Sequence, residues 1–167
     1  MSVTDLLLSE FDAEMKTTRT TLERVPFDKQ GFKPHTKSMA LDKLAPHVAE
    51  LVGFGATILT TPELDFGTGP QRTRPPFESA GLLKLFDENV AKVRVALKGL
   101  SDDVWTQPWK LSFQGKPIFS GTRFLAYRQM FLNHLVHHRA QLGVYLRMND
   151  KPVPATYGPS ADDTLGF

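Results

Sequence analysis

The chain has 167 residues, 41% hydrophobic and 23% charged, with a net charge of +2 and no cysteine. That length and balance fit one globular domain over residues 1–167, and the scattered lysines and arginines exclude the electrostatic footprint of a nucleic-acid binder. Without cysteine there are no disulfides, thiolate nucleophiles, iron–sulfur ligands or Cys-type zinc sites, so any thiol chemistry needs a small-molecule thiol. Residues 1–10 show no basic leader, and the longest uncharged run, Leu51 to Pro62, is too short to span a bilayer. A cytoplasmic protein without membrane contact is expected. No internal repeat and no glycine-rich phosphate-binding motif occurs.

Four stretches carry helical periodicity. The first, about Thr4 to Glu23, aligns Leu7, Phe11, Met15 and Leu22, with Thr4 as N-cap and Pro26 beyond the end. The second, about Met39 to Thr61 behind a Ser38 cap, aligns Ala40, Leu44, His47, Leu51, Phe54 and Ile58, and Pro46 should bend it beside His47. The connection from Pro62 to Glu78 holds Pro62, Pro70, Pro75, Pro76, Gly67 and Gly69 and reads as a loop. Such a loop can reach about 50 Å, against about 30 Å for a twenty-residue helix, so it permits a crossover between bundle ends.

The third helix, about Ala80 to Leu100 behind Ser79, spaces Leu83, Phe86, Val90, Val93, Leu97 and Leu100 by threes and fours, as a bundle seam does. Residues 109–119 alternate around Gln114-Gly115 and predict a short β-hairpin. The fourth helix, about Thr122 to Met148, carries Tyr127, Phe131, Leu135, Leu142 and Tyr145 on its apolar face and should end near Asn149, ahead of a tail rich in Gly, Pro and Asp. The expected fold class is all-α: a four-helix bundle with a long crossover between helices 2 and 3 and a hairpin between helices 3 and 4.

Three histidines carry the functional reading. At about 100° per residue, His134 and His138 lie only about 40° apart on the fourth helix and beside its apolar stripe, so both imidazoles point inward. His47 shares the apolar stripe of the second helix, and the two stripes are expected to meet. Buried imidazoles without partners cost roughly 1–3 kcal/mol each, a cost that a shared cation relieves. His137, about 60° from His134 on the side away from Phe131, is expected at the rim, and His35, in a loop, in solvent.

The run Asn133-His-Leu-Val-His-His-Arg-Ala-Gln141-Leu-Gly-Val-Tyr145, the tail Tyr157-Gly-Pro-Ser-Ala-Asp162 and the early-helix histidine together resemble the DinB/YfiT-like family of metalloenzymes, over nearly the whole chain. The resemblance implies a four-helix bundle with its crossover in the middle connection, a homodimer, and a divalent metal held near one end of the bundle by His47, His134 and His138. It also implies thiol-dependent S-transferase or isomerase chemistry, with bacillithiol, mycothiol or glutathione as co-substrate.

Three protein ligands leave a coordination position open for water or a small-molecule substrate, the arrangement of catalytic zinc sites. The metal is expected to be zinc or nickel, with iron or copper next, since all-imidazole ligation suits each. Gln141, Glu10 and Glu14 are candidates to hold the outer ring nitrogens, each glutamate reading first as a solvated charge; Tyr145 and Tyr127 are expected in core packing, with their hydroxyls as candidates to reach a pocket, and Arg139 is expected to pair with Asp162, Asp163 or another helix. No side chain is assigned as general base. The expected function is a metal-dependent, thiol-dependent S-transferase acting on small electrophiles; the alternatives are a hydrolase using metal-bound water and a non-catalytic, dimeric metal-binding bundle.

Overall fold

The computed structural model describes residues 1–68 and 77–164; Gly69, Pro70, Pro75 and Pro76, part of the predicted crossover loop, lie outside the described residues. The long helices are α1 (Val3–Glu23), α2 (Leu41–Thr60), α3 (Ser79–Lys98) and a composite fourth made of a single turn α4 (Arg123–Leu125), a π-helical segment (Ala126–Leu132) and α5 (Asn133–Met148). One hydrophobic core joins them through residues such as Phe11 and Met15 of α1, Val48 and Ile58 of α2, Phe86 and Val93 of α3, and Leu135 and Leu142 of α5.

The helix caps depart from expectation, and at α1 and α2 groups outside the helix take some of the free amides. Ser2, not Thr4, caps α1: its hydroxyl accepts from the Asp5 amide at 3.0 Å, and the Asp5 carboxylate accepts from the Ser2 amide at 3.0 Å. Thr4 accepts instead from Trp105 Nε1 at 2.8 Å, and the Asp102 carboxylate takes the free amides of Val3 (2.8 Å) and Thr4 (3.0 Å). A carboxylate at a helix N-terminus meets both orphan donors and the positive dipole end, and those bonds hold Asp102 below its ordinary pKa.

Ser38 does not cap α2 either. Its N-cap is Ala40, and the carbonyls of Phe32 and Gln30 accept from the Leu41 and Asp42 amides, each at 2.9 Å. Pro46 sits within α2, which continues through it unbroken. At the other end, the buried Arg123 guanidinium caps the helix by donating to the carbonyls of Ile58 and Thr61. Ser79 is the first residue of α3 rather than its cap, and the buried seam of that helix is Leu82, Phe86, Asn89, Val93 and Leu97. Leu83 and Val90, predicted in that seam, are only partly buried.

The hairpin is present as β2 (Pro108–Phe113) and β3 (Lys116–Thr122), with Gln114 (φ 50°) and Gly115 (φ 76°) at its tip. Positive φ at both central residues is the type I′ turn that matches strand twist. The all-α expectation is corrected by a third strand, β1 (Glu63–Asp65), which pairs parallel with β2 and makes a small sheet of order β1-β2-β3. Asp65 holds the hairpin tip: its carboxylate accepts from the Gln114, Gly115 and Gly67 amides at 2.7–2.9 Å. Gly67 is required there, since a Cβ would stand 2.6 Å from the Gln114 backbone nitrogen. The fold is thus mostly helical, with a small sheet formed by one strand that follows α2 and a hairpin that precedes the fourth helix. Among the described residues no helix is long and apolar enough to cross a membrane.

Candidate metal centre

The ring nitrogens of His47 on α2 and of His134 and His138 on α5 lie within 4.8 Å of one another, and all three side chains are half-buried. The ring centroids stand 5.4 Å (His47–His134), 4.6 Å (His47–His138) and 4.7 Å (His134–His138) apart. The two apolar stripes do meet, and the histidines sit at their border rather than at the centre of the core.

The wide turn of the π segment precedes this site. Tyr127, Phe131 and Leu135 follow one another at four-residue steps, which would drift about 80° around an ideal α-helix. The π segment absorbs the drift, and all three are fully buried. Phe131 seats its ring on Gly55 of α2, where a Cβ would approach ring carbons to 2.7 Å. Helix α2 thereby comes close enough to bring His47 to the pair.

The outer ring nitrogens decide the chemistry of the inner ones. His134 Nδ1 faces the Met130 carbonyl at 3.4 Å, and His138 Nδ1 faces Gln141 Oε1 at 2.8 Å. Both partners are oxygen acceptors, so a ring that donates to its partner carries its proton on Nδ1 and presents a bare Nε2. Those two Nε2 atoms stand 2.9 Å apart. That is hydrogen-bond distance, bridged by one ring's Nε2 proton or, with both Nε2 atoms bare, by a cation shared with a third donor. Burial lowers the pKa of both rings, outweighing for His134 the Met130 bond and for His138 the Gln141 bond, and so disfavours an imidazolium as that cation. Zinc–nitrogen bonds of about 2.0–2.1 Å place tetrahedral ligand nitrogens roughly 3.4 Å apart, so the donor set fits a divalent metal.

Gln141 thus stands where it was predicted, and His137 is exposed at the rim, its ring 4.9 Å from that of His138. His35 is exposed in its loop. The candidate roles of two glutamates are corrected. Glu14 does not support an imidazole: it pairs with Arg139 at 2.6 Å, and its Oε1 accepts from the Tyr157 hydroxyl at 2.8 Å. Glu10 pairs with Arg128. Tyr145 is a core residue whose hydroxyl donates to the Met39 carbonyl at 2.7 Å and whose ring packs edge-on against Phe32.

Tyr127 is likewise core: its ring lies between Trp105 and Phe131, and burial raises its pKa. Its hydroxyl has no hydrogen-bond partner among the described residues. In the tail, Arg147 pairs with Asp162 and Arg24 with Asp163. The sequence reading missed the Met130 carbonyl, since backbone groups leave no sequence signal, and the buried Glu14–Arg139 pair with the exposed Tyr157 over it, whose members are 18 to 143 positions apart.

No protein-family model matches the chain, and no curated protein does. Solved structures do. A DinB-like protein of Bacillus subtilis, YjoA, superposes with a TM-score of 0.68 at 20% identity, covering 90% of this chain and 97% of that one. A DinB-like protein of Bacillus cereus superposes with a TM-score of 0.66 at 18% identity, covering 90% and 95%. The chain therefore has the fold of the DinB-like proteins.

Proposed function

We propose that this chain is a divalent-metal-binding protein that activates a low-molecular-weight thiol for transfer to a small electrophile. The observation that carries the reading is the convergence of the ring nitrogens of His47, His134 and His138 within 4.8 Å of one another. A bound cation would supply Lewis acidity, lowering the pKa of a coordinated thiol so that the thiolate is the nucleophile. His47, His134 and His138 would hold it; the Met130 carbonyl and Gln141 are placed to accept from the outer ring nitrogens, which would leave the inner ones free as ligands.

With no cysteine in the chain, the thiol must come from a co-substrate. The chain is further read as a single-domain four-helix bundle, with residues 62–78 as its crossover, working as a cytoplasmic homodimer. The test is a panel of bacillithiol, mycothiol and glutathione against electrophiles such as haloaromatics and epoxides, using metal-loaded protein and the His134→Ala variant. Thiol-dependent product formation lost in the variant supports the proposal. Metal-dependent turnover of esters or lactones without thiol would replace it with hydrolysis.

A further inference from the structure

Helix α5 is apolar on two faces. Leu135, Leu142 and Leu146 are buried in the core, while Val136, Ala140, Val144 and Met148 follow one another at four-residue steps along the outer side. Val144 and Met148 are 55% and 52% exposed, Ala140 is exposed, and Val136 is half-buried. A surface helix ordinarily turns charged and polar residues to water, and a helix that is apolar all round is covered all round. α3 shows the ordinary pattern, with Lys84, Asp87, Glu88, Lys92 and Lys98 at its exposed positions. On α5 the one exposed Lys, Arg, Asp or Glu is Arg147, and it donates to both carboxylate oxygens of Asp162 in the same chain.

Beside this row lies a cleft of about 390 Å³, lined by Ala140, Gly143, Val144, Val153 and Pro154 among others. Gly143 stands in the interior of α5, where glycine is the poorest helix former after proline. Packing within the protomer does not require it, because an added Cβ would meet only Val153 Cγ1, at an ordinary 3.8 Å. The glycine keeps the groove next to the row deep.

The face is its own complement. Rows at four-residue spacing are the ridges by which helices most commonly pack. A two-fold axis near Val144 inverts the row, so that Met148 of one copy comes opposite Ala140 of the other, large against small, in the space that Gly143 leaves. The charges agree with that occupant. Each copy neutralises Arg147 with its own Asp162 and Arg139 with its own Glu14, so pairing strands no charge and sets no like charges face to face.

We infer that the outer face of α5 is the homodimer interface, with a second copy of this chain packed antiparallel across Val144. The inference rests on the homodimeric reading above and assigns its surface.

The test joins sedimentation velocity to thiol cross-linking. The parent should sediment as a particle of twice 18.7 kDa, with a Kd of roughly 1 µM or tighter. Val144→Glu sets two carboxylates against each other at the axis and should raise that Kd at least about hundredfold, while metal content stays at the parent level. Val144→Cys carries the only thiol in its chain. Near a two-fold axis its Cα falls within the roughly 4.4–6.8 Å that a disulfide spans, so diamide should convert it to a covalent dimer. Val95→Cys, at a position 73% exposed on α3, should stay uncross-linked under the same treatment. A monomeric parent would overturn this inference and the homodimeric reading together. A Val144→Glu variant that dimerises as the parent does, or equal cross-linking of the two cysteine variants, would remove the α5 face alone.

Discussion

Arg139→Leu is predicted to be among the most damaging single changes in the chain. The Arg139 and Glu14 side chains are only 3% and 11% exposed, and their nitrogen and oxygen stand 2.6 Å apart. Glu14 Oε2 makes no hydrogen bond among the described residues, so that guanidinium is what compensates it. Removing it leaves a buried carboxylate with only the Tyr157 hydroxyl on its other oxygen. Breaking a buried pair from one side costs about 3–5 kcal/mol, or roughly 6–20 °C in Tm for a chain of this size.

Glu14→Leu should cost less, because Arg139 keeps the Thr18 hydroxyl and the Glu14 backbone carbonyl. The double variant should be milder than the sum of the singles by at least about 1 kcal/mol, since neither charge is then stranded. Urea unfolding of the four proteins, with the slope checked for constancy, measures the cycle. A loss below about 1 kcal/mol for Arg139→Leu, or additive singles, would refute the reasoning.

Gly55→Ala should destabilise by roughly 1–3 kcal/mol, because its Cβ would meet the Phe131 ring at 2.7 Å, and Phe131→Leu in the same chain should recover part of the loss; thermal unfolding tests both. Gln141→Leu should weaken metal binding about 10–100-fold by releasing His138 Nδ1, while Gln141→Glu, which keeps an acceptor there, should retain it; competition against a chromophoric chelator measures the ratio.

Acid should loosen the metal-free protein. Asp65 is held below the ordinary carboxylate pKa of 3.8 mainly by the Gly115 and Gly67 amides, and Asp162 mainly by Arg147. A depressed folded-state pKa contributes stability above the unfolded value that is lost as pH falls through the folded one. Tm should therefore drop below about pH 4, and Asp65→Asn should flatten that drop; an identical slope in the variant would contradict the assignment.

The sequence carries the centres of the helices better than their ends. Leu7, Phe11, Met15 and Leu22 are buried together on α1, and Tyr127 to Tyr145 on the last helix, because an apolar stripe is a local property that tertiary packing only has to use. Caps are decided by what arrives in space: Asp102 reaches α1 from 98 positions away, and the Phe32 and Gln30 carbonyls displace Ser38 at α2. β1 has three residues, too few for an alternating pattern, and exists through its pairing with β2.

The π segment did leave a trace in the uninterrupted four-residue spacing of Tyr127, Phe131 and Leu135. In the site, the His134–His138 pair follows from helix pitch alone, and His47 from its place on an apolar stripe. Glu14 shows the limit of that logic, since helical face alone cannot tell whether a carboxylate meets an imidazole or the guanidinium of Arg139.

The central claim is that His47, His134 and His138 hold one divalent ion. Elemental analysis of protein purified without chelator or affinity tag, beside the variant with all three histidines changed to alanine, tests it most directly. The account predicts close to one zinc or nickel per chain in the parent and none in a folded variant. A parent that stays metal-free after reconstitution, or a variant that retains its metal, would contradict it.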